Sequence, residues 1–203
     1  MGLPMDPDLL STDHDAQLTP VVVVTGPVGA GKSTVAAALC DLLAEREVRA
    51  ALVDMDYLRW LYPAHPDDRF SARLGFRNLA AIWPNLLAAG ATCVVLADVV
   101  EDMDQRKTYQ DLMPGAEVTI VRLNVPLDLV AERLAQRESG ADLEWSVRRA
   151  PELQAIMERA AIGDLVIDVG SRLPQSVATE IADHLALLPP SHGTESAGYD
   201  GER

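Results

Sequence analysis

The sequence predicts an α/β fold: a three-layer α/β/α domain built on a doubly wound, parallel sheet of five strands. Three observations predict it. Short apolar runs alternate with longer segments whose apolar residues recur at helical spacing. The first apolar run ends in a glycine-rich turn that leads directly into a helical pattern. Polar residues suited to chemistry follow the ends of several runs, and in parallel sheets ligands bind at the carboxyl ends of the strands.

Each element follows from its own pattern. The apolar runs predict strands at residues 20–25, 50–54, 92–97, 117–123 and 164–168. Three sets of apolar residues at helical spacing predict buried helix faces: Val35, Leu39, Leu42 and Leu43; Leu127, Val130 and Leu134; and Val177, Ile181 and Leu185. Pro84 predicts a kink, or two shorter helices, within the helical stretch 76–89, which Gly90 ends. Pro126 suits the first turn of its helix.

Composition limits the possible functions. The chain has 203 residues, 48% of them hydrophobic, which suffices for one sizeable core. No apolar run is long enough to span a bilayer, so we expect no membrane partner. A net charge of −14 argues against binding to nucleic acid. Cys40 and Cys93 predict two buried thiols rather than a disulfide or a metal pair, and we expect a cytoplasmic monomer or homodimer.

The expected organisation is one domain over residues 19–188 with a small helical lid at about 137–149. The acidic segment 1–18 lacks the pattern of a secretory signal and predicts a flexible lead-in. The final segment, 189–203, is rich in small, polar and charged residues and predicts a disordered tail.

The stretch "GPVGAGKST" predicts a phosphate-binding loop. It fits the pattern G-x-x-x-x-G-K-[ST] between a predicted strand and a predicted helix. Glycines let backbone N–H groups point at an anion, and the positive end of the following helix adds to that field. Lys32 can reach the β- and γ-phosphates of a nucleotide, and Ser33 can bind Mg²⁺. The expected nucleotide contacts are Gly26, Pro27, Val28, Gly29, Ala30, Gly31, Lys32, Ser33 and Thr34.

Carboxylates follow the second and third predicted strands. "VDMDYLR" places Asp54, Asp56 and Arg59 where they could accept a hydroxyl proton, lie near Mg²⁺ and bind an anionic substrate. An acidic helix start with a capping aspartate is the alternative. Asp98 ends the third strand, where it could hold the metal together with Ser33, or could merely cap a turn.

Arginines are expected to supply the remaining positive charge. Arg133 and Arg137 share one helix face and, with Arg148 and Arg149, could close a lid over transferring phosphates. Solvated or locally paired arginines are the alternative. Arg69, Arg73 and Arg77 lie among aromatic residues in the segment 57–85, which we expect to form the acceptor pocket unless the aromatics are core.

In these residues the sequence resembles the small-molecule kinases of the phosphate-loop class, of the AAA_33 type. "VDMDYLR", "RNLAAIWPNLLAAG" and "VPLDLVAERLAQR" resemble adenylylsulfate kinase segments, and "ESGADLEWSVRRAPELQ" is similar to the lid of gluconate kinases. Shikimate and antibiotic phosphotransferases belong to the same group. The resemblance covers roughly residues 20–187. It implies that Asp56 is the base, that Asp54 lies near the metal, that Arg59 and Asn78 contact the acceptor, and that Arg133 and Arg137 belong to the lid.

The sequence therefore predicts an ATP- and Mg²⁺-dependent phosphotransferase acting on a hydroxyl of a small metabolite, nucleoside, nucleotide or natural product. Lys32, Asp56, Arg133 and Arg137 are the expected catalytic residues, and Gly170 and Arg172 are expected to border the adenine. A nucleotide-dependent switch or partner-binding ATPase is the alternative. Valine rather than glutamate follows Asp98, which favours transfer over hydrolysis.

Overall fold

The computed structural model describes residues 18–188. The predicted tail and all but the last residue of the predicted lead-in lie outside the described residues. The strands are β1 (Thr19–Thr25), β2 (Ala50–Asp54), β3 (Cys93–Ala97), β4 (Ala116–Asn124) and β5 (Leu165–Asp168). The helices are α1 (Lys32–Glu45), α2 (Met55–Leu58), α3 (Ala72–Ala88), α4 (Gln105–Leu112), α5 (Leu127–Arg137), α6 (Gly140–Arg159) and α7 (Pro174–His184).

The five strands form one parallel sheet in the order β2-β3-β1-β4-β5. Val23 of β1 pairs with Leu96 of β3 on one side and with Ile120 of β4 on the other. The order reverses beside β1, which is the arrangement of a doubly wound sheet. The predicted fold class and all five predicted strands are thus confirmed, the strands to within one residue at each end.

Alternate side chains of β1 enter two separate cores. Val22 and Val24 pack on one face of the sheet with Leu39 of α1 and Ile181 of α7. Val21 and Val23 pack on the other face with Leu79, Trp83 and Tyr109 from α3 and α4. Both faces are covered, which explains why the strand is an unbroken apolar run rather than an alternating one.

Two helices depart from the predicted boundaries around proline. Residues 72–88 form one helix with Pro84 inside it, so the expectation of two shorter helices is wrong. Gly90 follows this helix with φ of 85° and donates to Leu87 O, as expected for a glycine helix end. Pro126 lies one position before α5 rather than within its first turn, because its ψ of 136° is extended.

The segment of the predicted helical lid is mostly helical in the structure. Residues 137–149 comprise the end of α5, a two-residue break and the first half of the 20-residue helix α6. Among residues 18–188 no helix combines the length and hydrophobicity needed to cross a membrane.

Both cysteines are free thiols. Cys93 is buried on β3, and Cys40 is half-buried on α1. Burial raises the pKa of Cys40 to about 12 and that of Cys93 to about 11, so both thiols stay protonated at neutral pH. The prediction of a buried thiol is confirmed for Cys93 and is wrong for Cys40, which is only half-buried; neither forms a disulfide.

Candidate active site

The sheet order brings three polar strand ends together. β2, β3 and β1 are neighbours, and the glycine-rich loop or a carboxylate lies at the carboxyl end of each. β1 leads into the loop 26–31, β2 ends at Asp54, and Asp98 directly follows β3. One edge of the sheet therefore carries the predicted phosphate loop and the predicted carboxylates.

The loop 26–31 adopts a shape that requires glycine at two positions. Gly29 has φ of 80° and Gly31 has φ of 91°, a region that residues with a side chain rarely adopt. A Cβ atom at Gly29 would also lie 3.0 Å from the side chains of Leu134 and Val130. The loop is thus packed tightly against α5.

The first turn of α1 presents backbone donors. Its first helical hydrogen bond runs from Val35 N–H to Gly31 O, 2.9 Å, so the N–H groups of Lys32, Ser33 and Thr34 have no intrahelical acceptor. These N–H groups and the helix dipole together make a site suited to an anion.

The side chain of Lys32 contacts the loop that precedes it. Its Nζ donates to Gly26 O and to Pro27 O, each at 3.2 Å. Burial lowers the pKa of this ammonium, and the nearby carboxylates of Asp56, Asp98 and Asp54 offset part of that effect. An anion bound beside Lys32 would therefore stabilise the charged form of its side chain.

Ser33 and Asp54 form an oxygen-rich pair beside Lys32. The Ser33 hydroxyl donates to Asp54 Oδ2 at 2.6 Å, and Asp54 Oδ1 caps α2 by accepting from Asp56 N–H at 3.0 Å. Within residues 18–188 no hydrogen bond joins Ser33 to Asp98, the metal partner expected from sequence, and that pairing stays a prediction. Hydroxyl and carboxylate oxygens suit Mg²⁺, which takes few protein ligands beside phosphates and water. Consistently, residues 18–188 contain no cluster of three or more acidic, histidine or cysteine ligands.

Asp98 is buried in a network of hydrogen bonds. Its side chain is 1% exposed, and Oδ1 accepts from Arg59 at 2.9 Å and from Val99 N–H at 2.8 Å. Tyr109 donates its hydroxyl to Oδ2 at 2.7 Å. Burial raises the pKa of Asp98, and Arg59, Tyr109 and the Val99 N–H offset part of that rise. Both carboxylate oxygens of Asp98 accept hydrogen bonds, which indicates a structural role for this residue.

Asp56 is the exposed carboxylate of the three. Its side chain is 74% exposed, and Oδ1 accepts two bonds from Arg59, the shorter at 2.7 Å. Within residues 18–188 no hydrogen bond engages its Oδ2. Arg59 thus bridges Asp56 and Asp98, and it also lines the cavity described below; its contact with an acceptor stays a prediction.

Arg133 joins the phosphate loop to the segment after β5. It donates to Gly170 O at 3.0 Å and to Ala30 O at 3.5 Å. Arg137, one turn on, lines the cavity described below and pairs with Glu138 at 2.5 Å. The structure brings Arg133 and Gly170 together as the sequence predicts. Arg172 instead bonds Asp168 O and pairs with Glu180 of α7 at 2.6 Å.

A cavity of about 980 Å³ opens between the phosphate loop, α2, the segment 57–72 and α6. Arg69 lines it, but Arg73, Arg77 and Asn78 do not. Arg73 and Arg77 project from α3 on the side opposite its buried residues, so their helical spacing carries them into solvent. Asn78 donates to Leu58 O at 2.6 Å and holds the end of α2. The expected acceptor contacts of these three residues are therefore not seen.

The sequence pattern did not identify three residues of the site. Tyr109 is a buried tyrosine in a polar helix, and its isolation among polar neighbours was the one available signal. Trp145 lines the cavity from α6, and Glu101 pairs with Arg149 at 2.7 Å. No local pattern identifies the last two, because each meets its partners only through the packing of α6.

Comparison with known proteins places this site in a family. The model of the AAA_33 family, described as an AAA domain, matches residues 21–157. The chain belongs to this family. Two curated relatives, the adenylyl-sulfate kinases of Vibrio vulnificus strains YJ016 and CMCP6, are each 32% identical over 123 residues. The match covers 60% of this chain and 58% of the length of these relatives.

Several solved structures share the fold. The tunicamycin resistance protein of Deinococcus radiodurans has a TM-score of 0.60 and 21% identity, over 85% of this chain and 99% of that one. A gluconokinase of Sinorhizobium meliloti 1021 has a TM-score of 0.54 and 21% identity, over 84% and 97%. The shikimate kinase of Acinetobacter baumannii has a TM-score of 0.54 and 18% identity, over 84% and 94%. Family and relatives together support a nucleotide-binding kinase in general.

Proposed function

We propose that the protein is a Mg²⁺-dependent kinase that transfers the γ-phosphoryl group of ATP to a hydroxyl of a small molecule. One observation carries the proposal. The anion-suited loop and the exposed carboxylate of Asp56, with its unengaged Oδ2, line the same open cavity. In-line transfer to a hydroxyl requires a site for the phosphoryl donor and a base that both reach the acceptor in one cavity.

The chain would bind ATP through the N–H groups of the α1 first turn and through Lys32. In the described residues Lys32 donates to two carbonyls, which the phosphates would replace as acceptors. Arg133, held against Gly170, would lie beside the nucleotide, with the adenine near residues 170–172. Aligned donors of this kind stabilise the charge that develops on the transferring group.

Ser33 and Asp54 would hold Mg²⁺, replacing the expected pair Ser33 and Asp98. Their oxygens contact each other directly, whereas Asp98 is buried and already bonded. Bound Mg²⁺ supplies positive charge to the phosphates of the nucleotide.

Asp56 would act as the base. Its Oδ2 accepts the proton of the acceptor hydroxyl while the hydroxyl oxygen bonds to the γ-phosphorus. The bond from that phosphorus to the β–γ bridging oxygen breaks, and its electron pair leaves with ADP. Arg59 holds Asp56 Oδ1 at 2.7 Å, so the carboxylate is oriented before the acceptor arrives. We also propose a cytoplasmic location, since both cysteines are free thiols.

Acceptor-dependent ADP release tests the proposal. A panel of small hydroxyl compounds should accelerate ADP release, and Asp56→Asn should lower kcat by about a hundredfold or more because the base is lost. Asp67→Asn is the matched control, an exposed aspartate outside the cavity, and should leave kcat unchanged. ADP release that no acceptor alters would favour a switch or partner-binding ATPase. A loss confined to Asp98→Asn would remove Asp56 from its role.

A further inference from the structure

The cavity has an exposed aromatic wall. Tyr57, Trp60, Tyr62 and Phe70 line it and are 70%, 66%, 80% and 51% exposed. Exposed aromatic side chains of this size, gathered at one concave site, mark binding surfaces rather than core.

The wall comes from two parts of the chain. The Trp60 ring lies 5.8 Å from that of Tyr57 and 6.4 Å from that of Tyr62, all close in sequence. The Phe70 ring lies 6.1 Å from that of Trp145, which α6 supplies. Exposed rings along one cavity suit a flat body that stacks against them.

The basic side chains of the cavity are largely neutralised. The cavity has five of them: Lys32, Arg59, Arg69, Arg137 and Arg149. Arg59, Arg137 and Arg149 each contact a carboxylate at 2.5–2.7 Å. Lys32 belongs to the phosphate loop. Arg69 alone faces the aromatic wall without a carboxylate partner in residues 18–188, with its Cζ 5.5 Å from the Phe70 ring centre.

The acidic side chains outnumber them. The cavity has six: Asp54, Asp56, Glu101, Asp102, Asp104 and Glu138. Asp102 and Asp104 line the cavity and form no ion pair within the described part of the chain. Outside the phosphate loop, an anionic acceptor would therefore meet one arginine without a carboxylate partner, Arg69, and two carboxylates without a basic partner, an arrangement that disfavours it.

We infer that the acceptor is a ring-containing hydroxyl compound without negative charge, whose flat apolar body stacks on the wall formed by Tyr57, Trp60, Tyr62, Phe70 and Trp145. The inference rests on the proposed kinase function and narrows its acceptor. It departs from the anionic acceptor that the arginine-rich sequence predicts, because Arg59 is paired and Arg73 and Arg77 lie outside the cavity, which leaves Arg69 against the aromatic rings.

A sorted acceptor library tests the inference. Hydroxyl compounds are assembled as matched pairs, each aromatic alcohol or nucleoside with its carboxylated or phosphorylated counterpart, alongside aliphatic alcohols and sugars. Transfer of radiolabel from [γ-³²P]ATP to each compound is measured. Aromatic compounds without negative charge should exceed their anionic counterparts and the aliphatic set in kcat/KM by about tenfold or more, the equivalent of one well-placed contact.

Variants tie the preference to the wall. Trp145→Ala and the highly exposed Tyr62→Ala should raise KM for the best aromatic acceptor by about tenfold and severalfold, with KM for ATP unchanged. Val147→Ala, on the same helix but outside the cavity, is the control. The double variant Asp102→Asn with Asp104→Asn should improve transfer to the anionic counterparts by about threefold or more.

The outcomes separate the inference from the function on which it rests. Transfer that favours anionic or aliphatic acceptors overturns the inference and leaves the kinase proposal intact. Unchanged acceptor KM in both aromatic variants also overturns it. An absence of transfer to every class, while a non-hydrolysable ATP analogue still binds, contradicts the kinase proposal as well.

Discussion

The three carboxylates at the strand ends differ in burial and in their hydrogen-bond partners. Asp54 bonds Ser33, Asp56 keeps an unengaged oxygen in the cavity, and Asp98 is enclosed by Arg59 and Tyr109. The sequence predicts that all three lie at one edge of the sheet, because strand ends are visible in the apolar pattern. It could not assign their roles, since the choice depends on Tyr109, which reaches Asp98 through the packing of α4.

We expect nucleotide binding to depend most on Lys32. Lys32→Ala should lower kcat by about a hundredfold or more, because a buried donor to the phosphates is lost, as in other preorganised sites. Urea unfolding should change little, since burial already disfavours the charge of Lys32. Lys107→Ala, the other lysine of the chain, is 83% exposed and should keep full activity. Near-normal transfer by the Lys32 variant would contradict its role.

Asp98 is expected to matter for stability more than for proton transfer. Asp98→Asn leaves the guanidinium of Arg59 half-buried with one carboxylate partner fewer, and should lower the free energy of unfolding by about 3 kcal/mol. Asp111→Asn breaks an exposed pair with Lys107 and should cost about 0–1 kcal/mol. Urea titrations of both variants measure the difference, and equal midpoints would show that the buried network contributes nothing.

At the scale of elements, the phosphate loop is set by its own sequence and by contact with α5. The positive φ values at Gly29 and Gly31 explain why the motif needs glycine there. The close approach of Val130 and Leu134 to Gly29 is not visible in the motif, because those residues lie about a hundred positions later.

A matched pair of glycine variants separates these two effects. Gly29→Ala combines a positive φ with contacts of 3.0 Å, whereas Gly115→Ala has the same φ of 80° and nothing within 4 Å. Both should lose about 1 kcal/mol from backbone strain. The Gly29 variant should lose more and should also bind ATP at least about tenfold more weakly, because the loop must shift. Calorimetric titration with an ATP analogue measures the affinities; equal effects in both variants would contradict the packing argument.

Strands were more predictable than helices. The five apolar runs predict their strands closely because both faces of the sheet are covered and no polar alternation blurs the ends. The sequence predicts a small helical lid at about 137–149, but not that its second part begins the 20-residue helix α6, whose buried residues further along, such as Leu153 and Met157, fix the whole element. Tertiary packing of an amphipathic face decides such helices.

At the scale of the whole molecule, topology places the phosphate loop and the carboxylates, and side-chain packing forms the rest of the cavity. The alternation of strands and helices predicts a parallel sheet whose carboxyl ends share one edge, so loop and carboxylates could be placed together from sequence, whereas the order β2-β3-β1 comes from the structure. Arg73 and Arg77 could not be excluded without knowing which face of α3 is buried. The aromatic wall likewise needs Trp145, which only the path of α6 brings to Phe70.

The central claim is that the loop 26–31 and the first turn of α1 bind the phosphates of a nucleotide. A crystal structure of the full chain grown with Mg²⁺ and a non-hydrolysable ATP analogue tests it most directly. The account predicts phosphate oxygens within hydrogen-bond distance of the N–H groups of Lys32, Ser33 and Thr34, with Lys32 Nζ moved from the carbonyls of Gly26 and Pro27 to the phosphates. A loop that keeps those carbonyl contacts, with the nucleotide bound elsewhere or absent at saturating concentration, would contradict it.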